Sequence, residues 1–148
     1  MASFKYNGVD ALDLTFEKMA NLSGEDLLRI IRPGAELLRE RLIEKVRTIF
    51  TQRSGSLANS FKLKERVWAD GAGISVLPTG KHPKSSTGKR RSNGSYQGTN
   101  AEVAFILEYG SPRIGATHFM ENTAEESEQE VYNAMDAELT QILRERGL

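Results

Sequence analysis

Five consecutive apolar residues, Val103 to Leu107, are the sequence feature that most constrains how this chain can fold. Apolar residues on both faces of a short run are typical of a central β-strand that is covered on each side. The run passes directly into Glu108, without a polar turn between them. We therefore predict a buried strand over residues 103–107, on which Glu108 shares a face with Ala104 and Ile106.

Two apolar stripes at helical spacing predict the main helices. The first predicts a helix of about 18 residues from Pro33, with a stripe formed by Leu38, Leu42, Val46 and Ile49. The second predicts a C-terminal helix from about Thr117 to Arg146, with a capping box at Thr123 and Glu126. Its stripe consists of Val131, Met135, Leu139 and Ile142. Both helices have one apolar side to place against a sheet or against each other.

The N-terminal part of the chain predicts shorter elements. Residues 4–6 alternate between aromatic and basic side chains and predict a short strand. Residues 10–20 carry apolar side chains at helical spacing and predict a short amphipathic helix. Ser23 is placed to cap a further short helix, which we expect to end near Pro33 because an internal proline removes a hydrogen bond and clashes with the preceding turn.

A β-hairpin is predicted in the middle of the chain. Residues 61–67 alternate apolar and charged side chains, the pattern of a half-exposed strand, and residues 74–78 form its expected partner after a Gly-Ala-Gly turn. The complete pattern predicts an α+β fold in which an antiparallel sheet of three to four strands is packed by N-terminal helices and a long C-terminal helix. At 148 residues, the chain is expected to form a single domain, 1–148.

Composition excludes several kinds of chemistry. The chain has no cysteine, so a disulfide framework and a thiolate metal site are excluded, and its two histidines have no metal-ligand spacing around them. No second carboxylate lies near Glu108 in the sequence to form a catalytic pair, and no serine stands in a nucleophile elbow, so we expect neither catalysis nor a cofactor. No apolar run is long enough to span a bilayer, and we expect no membrane partner.

A long basic loop is predicted at about 78–101, between two strands. It is rich in Gly and Ser, and such a composition cannot bury enough apolar surface to order itself, so we expect it to be mobile. Its cations are Lys81, Lys84, Lys89, Arg90 and Arg91, whereas residues 121–130 are acidic. Segregated charge of this kind suits contacts with copies of the same chain or with a polyanion.

Three stretches taken in order carry a resemblance. They are FKYNGVDALDLTFEKMA, then RSGSLANSFKLK with Ser54, Gly55, Leu57 and Ser60, and finally VAFILEYGSPRIGATHFM with Glu108, Tyr109, Gly110, Ser111 and Phe119. The chain resembles the tail-completion and head-tail joining proteins of long-tailed bacteriophages, described as gene-product-ten-like minor structural proteins. It departs from that family around Phe119: the family usually has a proline before this phenylalanine and a Pro-Ala after it, whereas this chain has His118 before it and Glu121-Asn122 after it. The long basic loop also lies outside the family's core pattern.

The resemblance implies a non-enzymatic virion protein. Its expected partners are copies of itself in a ring, a hexamer on assembly, together with the neighbouring head-connector and tail-tube or terminator proteins. DNA would pass through the channel of such a ring. The expected location is the head-tail neck of the virion, reached from the host cytoplasm during assembly.

The resemblance and the residues together suggest candidate site residues. Glu108 either accepts hydrogen bonds from the backbone of the following loop or pairs with an arginine of an adjacent subunit. The expected contact residues of the same segment are Glu108, Tyr109, Gly110, Ser111, Arg113 and Phe119. Gly55, Leu57 and Ser60 are interpreted as a turn in which the glycine supplies a positive φ and Leu57 enters the core.

The basic loop supports two further hypotheses. It would be either a docking arm for a neighbouring ring protein or a lining that faces the phosphates of DNA in the channel. The alternative to the phage role is a small nucleic-acid-binding module that is indifferent to sequence and uses Lys81 to Arg91 together with Tyr96.

Overall fold

The computed structural model describes residues 2–6, 12–17, 22–50, 55–82 and 98–147, and it describes residues 2–6 and 17 by their backbone alone. The elements in chain order are β1 (Ala2–Tyr6), β2 (Leu12–Glu17), α1 (Gly24–Ile49), β3 (Phe61–Trp68), β4 (Gly71–Pro78), α2 (Asn100–Tyr109) and α3 (Phe119–Glu145). A single 3-10 turn, Ala58–Ser60, precedes β3. The predicted α+β class is confirmed, with α1 as the N-terminal helix and α3 as the long C-terminal helix.

The four strands form one antiparallel sheet in the order β1-β2-β4-β3. The predicted hairpin is present, because β3 pairs with β4 from Phe61 opposite Pro78 to Trp68 opposite Gly71. Helix α1 lies between the sheet and α3, and it packs on the face that carries the apolar residues of the strands. That face is formed by Leu12, Leu14, Phe16, Phe61, Ala72, Ile74 and Val76.

Helix α1 begins as predicted but does not end at Pro33. Ser23 and Asp26 form a reciprocal capping box, and the helix continues through Pro33 to Ile49. A proline inside a helix costs about 3 kcal/mol, roughly what burying two large aliphatic side chains recovers. The helix buries such side chains on both sides of Pro33, from Leu27 to Ile31 and from Leu38 to Val46. Tertiary packing therefore holds the helix together across the proline.

Helix α3 runs antiparallel to α1 and is joined to it by ion pairs. Arg41 reaches Glu130 at 2.7 Å and Lys45 reaches Glu126 at 2.8 Å, so part of the acidic run at 121–130 is neutralised within the chain. The helix begins at Phe119, close to the predicted start at about Thr117. The predicted capping box at Thr123 and Glu126 is wrong, because Thr123 lies inside the helix and donates its hydroxyl to the carbonyl oxygen of Phe119. Exposed pairs of this kind add little stability individually, and they mainly fix the relative position of the helices.

Residues 12–17 form a strand, which corrects the predicted N-terminal helix. The alternating residues Leu12, Leu14 and Phe16 are buried, and β2 pairs with β1 on one side and β4 on the other. The spacing of four between Leu12 and Phe16 fits either a helix or a strand, and the intervening Leu14 belongs to the strand pattern. Residues 12–17 form a strand because they pair with a neighbouring strand on each side.

Residues 103–107 belong to helix α2, which corrects the predicted central strand. Thr99 and Glu102 form a capping box at its start, and only the side that carries Ala104 and Glu108 is buried. The other apolar residues of the run remain on the surface or partly buried. A short apolar run does not by itself distinguish a strand from a helix, and here the cap decides. Among the described residues, no helix is long and apolar enough to cross a membrane.

Candidate functional site

Glu108 lies in the last turn of α2 and has no exposed surface. Its two carboxylate oxygens accept hydrogen bonds from the backbone N–H groups of Met120 at 2.8 Å and Glu121 at 3.3 Å. These groups open helix α3 and would otherwise lack a partner within the helix, and they carry the positive end of its dipole. The carboxylate therefore fixes the start of α3, and its burial makes it inaccessible to an arginine of a neighbouring subunit.

The segment between α2 and α3 folds back onto the end of α2. Ser111 and Ile114 exchange backbone hydrogen bonds of 2.7 and 3.2 Å, and the N–H groups of Thr117 and His118 donate to the carbonyl oxygens of Leu107 and Glu108. Gly110 makes the sharp bend with a φ of 81°. A Cβ at that position would lie 2.8 Å from the backbone of Ala116 and Ile114, so the bend requires glycine.

An apolar surface lies on the side of α2 away from Glu108. We define the α2 patch as three exposed residues of α2, Phe105, Ile106 and Tyr109, together with the exposed Ile114 of the loop that follows. The exposed fractions of Phe105 and Tyr109 are 49% and 42%, and their rings are 5.2 Å apart. The Tyr109 ring also meets His118 edge-on at 6.3 Å. Ser111 and Arg113 are exposed on the loop that follows.

Phe119 does not belong to this surface, which corrects its expected role as a contact residue. It is 1% exposed and its ring packs edge-on against Phe50, with the ring centres 5.4 Å apart. Phe119 therefore joins the start of α3 to the end of α1. The expected contact set is divided by the structure into buried supports, Glu108 and Phe119, and an exposed group that contains Tyr109, Ser111 and Arg113.

The predicted turn before β3 has a structural role, because hydrogen bonds within the chain hold it and Leu57 enters the core. Gly55 has a φ of 69°, and its carbonyl oxygen accepts the N–H of Asn59. Leu57 is buried, and Ser60 donates its hydroxyl to the carbonyl oxygen of Leu57 at 2.6 Å. Ser54 lies outside the described residues.

The base of the basic loop is closed by hydrogen bonds. Lys81 and Thr99 form an antiparallel bridge, and the N–H of His82 donates to the carbonyl oxygen of Gly98 at 2.8 Å. Asn100 is buried beneath this bridge and donates to the carbonyl oxygen of Thr79. Lys81 is exposed. The remaining candidates of the loop lie outside the described residues: Lys84, Lys89, Arg90, Arg91 and Tyr96.

One group of side chains has the donor types of a metal site. Glu108, His118 and Glu121 each offer a ligand atom, and these atoms lie within 4.8 Å of one another. The sequence spacing did not suggest this group, because Glu108 and His118 are ten positions apart and are brought together by the fold. The carboxylate of Glu108 is already engaged by backbone N–H groups, and the positive end of a helix dipole opposes a cation there. Hydrogen bonding within the chain accounts for the burial of Glu108.

Ion pairs at the far end of the α1–α3 contact shift the pKa of several groups. Arg29 makes a two-pronged hydrogen bond to Glu145 at 2.7 and 2.9 Å, which lowers the pKa of that carboxyl to about 2. The capping hydrogen bonds from Ser23, followed by the charge of Arg146, lower the pKa of Asp26. These carboxylates are held ionised by partners in the same chain, and they serve the packing of the two helices.

Sequence reasoning missed a row of three cations on β3. Lys62, Lys64 and Arg66 are exposed and alternate along β3 with residues that face α1. Trp68 ends the same strand on the same face and is 42% exposed. The signal was present in the alternation of residues 61–67, which we interpreted only as evidence for a half-exposed strand.

Comparison with known proteins gives no relative: the chain matches no family model, no curated protein and no solved structure.

Proposed function

We propose that this chain is a non-enzymatic structural subunit of the joint between head and tail of a long-tailed phage or prophage, and that it assembles through the α2 patch. The observation that carries the proposal is the exposure of two aromatic residues in contact with each other, Phe105 and Tyr109, on a helix with few charges. The strongest of the three matching stretches contains this same segment.

The composition of the α2 patch supports an interface. Aromatic residues are enriched and charged residues are depleted at the centres of protein interfaces, and contiguous exposed apolar patches mark contact sites. Helix α2 contains two acidic residues, Glu102 and Glu108; the first takes part in the capping box and the second is buried. The exposed side of α2 therefore resembles the centre of an interface more than a solvated helix face.

The rigidity of the α2 patch supports the same proposal. Glu108 ties the end of α2 to the start of α3, and the loop from Gly110 closes on itself through Ser111 and Ile114. A surface that is already ordered loses little conformational freedom on association. The partner we propose is a second copy of the chain, in a ring of about six, with neighbouring connector and tail proteins above and below it. DNA would pass through this ring in the virion.

Light scattering on the purified chain tests the proposal. We expect a concentration-dependent ring, and we expect Phe105→Ser with Tyr109→Ser to remain monomeric. The matched control is Ile49→Ser with Val67→Ser, which removes two side chains of similar exposure, 46% and 52%, from other surfaces. Equal assembly of the two double variants, or a wild-type chain that stays monomeric at every concentration and in the presence of isolated phage connectors, would refute the proposal.

A further inference from the structure

The outer face of the sheet, the face directed away from α1, carries a row of three cations. Lys62, Lys64 and Arg66 occupy alternate positions of the edge strand β3, opposite Leu77, Ser75 and Gly73 of β4. Alternate residues of a strand lie about 6.6 Å apart and point to the same side. All three side chains are exposed. The strand thus presents an evenly spaced line of positive charge.

Among the described residues these three cations have no acidic partner, whereas four cations of α1 do. Arg29, Arg32, Arg41 and Lys45 of α1 each form an ion pair. Within the described part of the chain, no carboxylate lies within 4.0 Å of the charged atoms of Lys62, Lys64 or Arg66. As far as the described residues go, their charge is therefore available to a ligand.

Two acidic side chains of the described strands, Asp13 and Glu65, make their contacts with other residues than the row. Asp13 lies on the outer face and accepts the hydroxyl of Ser75, and it is two strands from Lys64, which is about 10 Å. Glu65 points to the opposite face, where it pairs with Arg32 at 2.9 Å. Neither group neutralises the row, although Asp13 reduces its field from a distance comparable with the screening length.

Trp68 extends the row with an aromatic surface. A Cβ at Gly71 would lie 2.8 Å from the indole Nε1, and a Cβ at Gly73 would lie 2.8 Å from the far end of the same ring. The indole therefore lies along β4 over two residues without side chains, which hold it in place. The remaining exposed surface of the ring is open to a ligand.

We propose that the outer face of the sheet binds single-stranded nucleic acid, with phosphates along Lys62, Lys64 and Arg66 and a base stacked on Trp68. Sequence-independent binding of single strands combines a positive track for the backbone with aromatic side chains for the bases. The row and the indole provide both on one strand. Recognition through phosphates and ring faces is indifferent to sequence and sensitive to salt. The site uses no residue of the α2 patch, so it does not depend on ring assembly.

Fluorescence titration tests this site directly, because Trp68 is the single tryptophan of the chain. We expect an oligothymidine to quench this fluorescence at low salt, and three phosphate contacts to a single strand to contribute about −2 to the slope of log affinity against log salt. A matched duplex and inorganic polyphosphate are the comparison ligands. Quenching by the single strand in excess of both supports the proposal. Binding that leaves the fluorescence unchanged, or quenching that is equal for polyphosphate, overturns it.

Variants distinguish binding at this site from general attraction of nucleic acid to the positive charges of the chain. Lys62→Gln, Lys64→Gln and Arg66→Gln together should weaken binding of a labelled oligothymidine at least tenfold and reduce the salt slope by about 2. The control variant Arg41→Gln, Lys45→Gln and Arg144→Gln makes the same change in charge on α1 and α3. Trp68→Leu should weaken binding roughly 5- to 100-fold, while Trp68→Phe retains most of it. Equal losses in the two triple variants would overturn the proposal, with a thermal melt of each variant establishing that it is folded.

Discussion

The carboxylate of Glu108 accepts a hydrogen bond of 2.8 Å from the backbone N–H of Met120, so the end of α2 determines where α3 begins. The residue at the N-cap position, His118, has a left-handed backbone and makes no side-chain capping bond. The cap of α3 is thus supplied from a different helix, twelve positions earlier in the chain. A buried carboxylate in this position couples α2, the loop and α3 into one unit.

Replacing Glu108 should destabilise the fold. Glu108→Ala leaves buried N–H groups without an acceptor and should cost about 2–3 kcal/mol, which corresponds to a fall in Tm of roughly 4–10 °C. Glu108→Gln retains one oxygen and should cost about 1 kcal/mol, since the charge assistance and one acceptor are lost. Differential scanning calorimetry measures both changes.

The control for Glu108 is Glu128, an exposed residue of α3 without an ion-pair partner among the described residues. Glu128→Ala should change the free energy of unfolding by less than about 0.5 kcal/mol. A Glu108→Ala variant as stable as Glu128→Ala would show that the carboxylate does not cap α3.

Two glycines of the same loop should respond in opposite ways to alanine. Gly110→Ala places a Cβ 2.8 Å from the backbone of Ala116 and Ile114 at a φ of 81°, and it should cost about 1–3 kcal/mol. Gly115→Ala meets no atom within 4 Å and should be neutral or stabilising by up to about 1 kcal/mol, because it restricts the unfolded chain. Urea unfolding of the pair measures the difference. Equal stabilities would contradict the tight bend at Gly110.

The parts of the fold that sequence predicts well are those with strong local signals. The alternation of residues 61–67 predicted β3, the capping residues Ser23 and Asp26 predicted the start of α1, and the apolar stripe from Val131 to Ile142 predicted α3. In each case the local preference and the tertiary packing favour the same structure.

The errors arise where local patterns are ambiguous. The run from Val103 to Leu107 is apolar on all sides, and it forms a helix because the capping box at Thr99 and Glu102 starts one. Residues 12–17 fit two periods, and only pairing with β1 and β4 selects the strand. Helix α1 continues through Pro33 because apolar side chains are buried both before and after this residue. Each outcome depends on distant partners that a local window does not contain.

The candidate sites also include features that the sequence shows locally and features that depend on the fold. The exposure of Tyr109 and the burial of Phe119 depend on which side of α2 and α3 faces the core, and the wrong element type at residues 103–107 concealed this. The cation row on β3 was visible in sequence as alternation. Its significance comes from the lack of acidic partners among the described residues and from the position of Trp68 over Gly71 and Gly73, and both depend on the fold.

Acid should weaken the α1–α3 contact through Glu145. The hydrogen bonds from Arg29 lower the pKa of this carboxyl from 4.5 to about 2 in the folded chain. A lowered pKa in the folded state stabilises the protein above the unfolded pKa, and this contribution is lost as the pH falls from about 4.5 through about 2.

The measurement is the Tm of wild type and of Glu145→Gln as a function of pH. The wild type should be the more stable near neutral pH, and the difference should shrink towards zero by about pH 2. Glu145 is exposed, so the difference should be small and should decrease with added salt. Glu128→Gln provides the control. A difference that is constant across this pH range would show that the pair with Arg29 is not formed.

His118 should be a site where substitution can stabilise the protein. Its φ of 48° and ψ of 37° are left-handed, a conformation that costs most side chains roughly 1–2 kcal/mol. Asparagine tolerates this conformation better than most side chains, so His118→Asn should raise the free energy of unfolding by about 0.5–1 kcal/mol. A β-branched residue adopts the left-handed conformation poorly, so His118→Val should lower the free energy of unfolding by about 1 kcal/mol or more. Denaturant unfolding of the two variants tests the conformation, because the loss of the contact with Tyr109 is common to both. If valine were tolerated as well as asparagine, the left-handed start of α3 would be refuted, and with it the geometry that brings Glu108 onto the first turn of that helix.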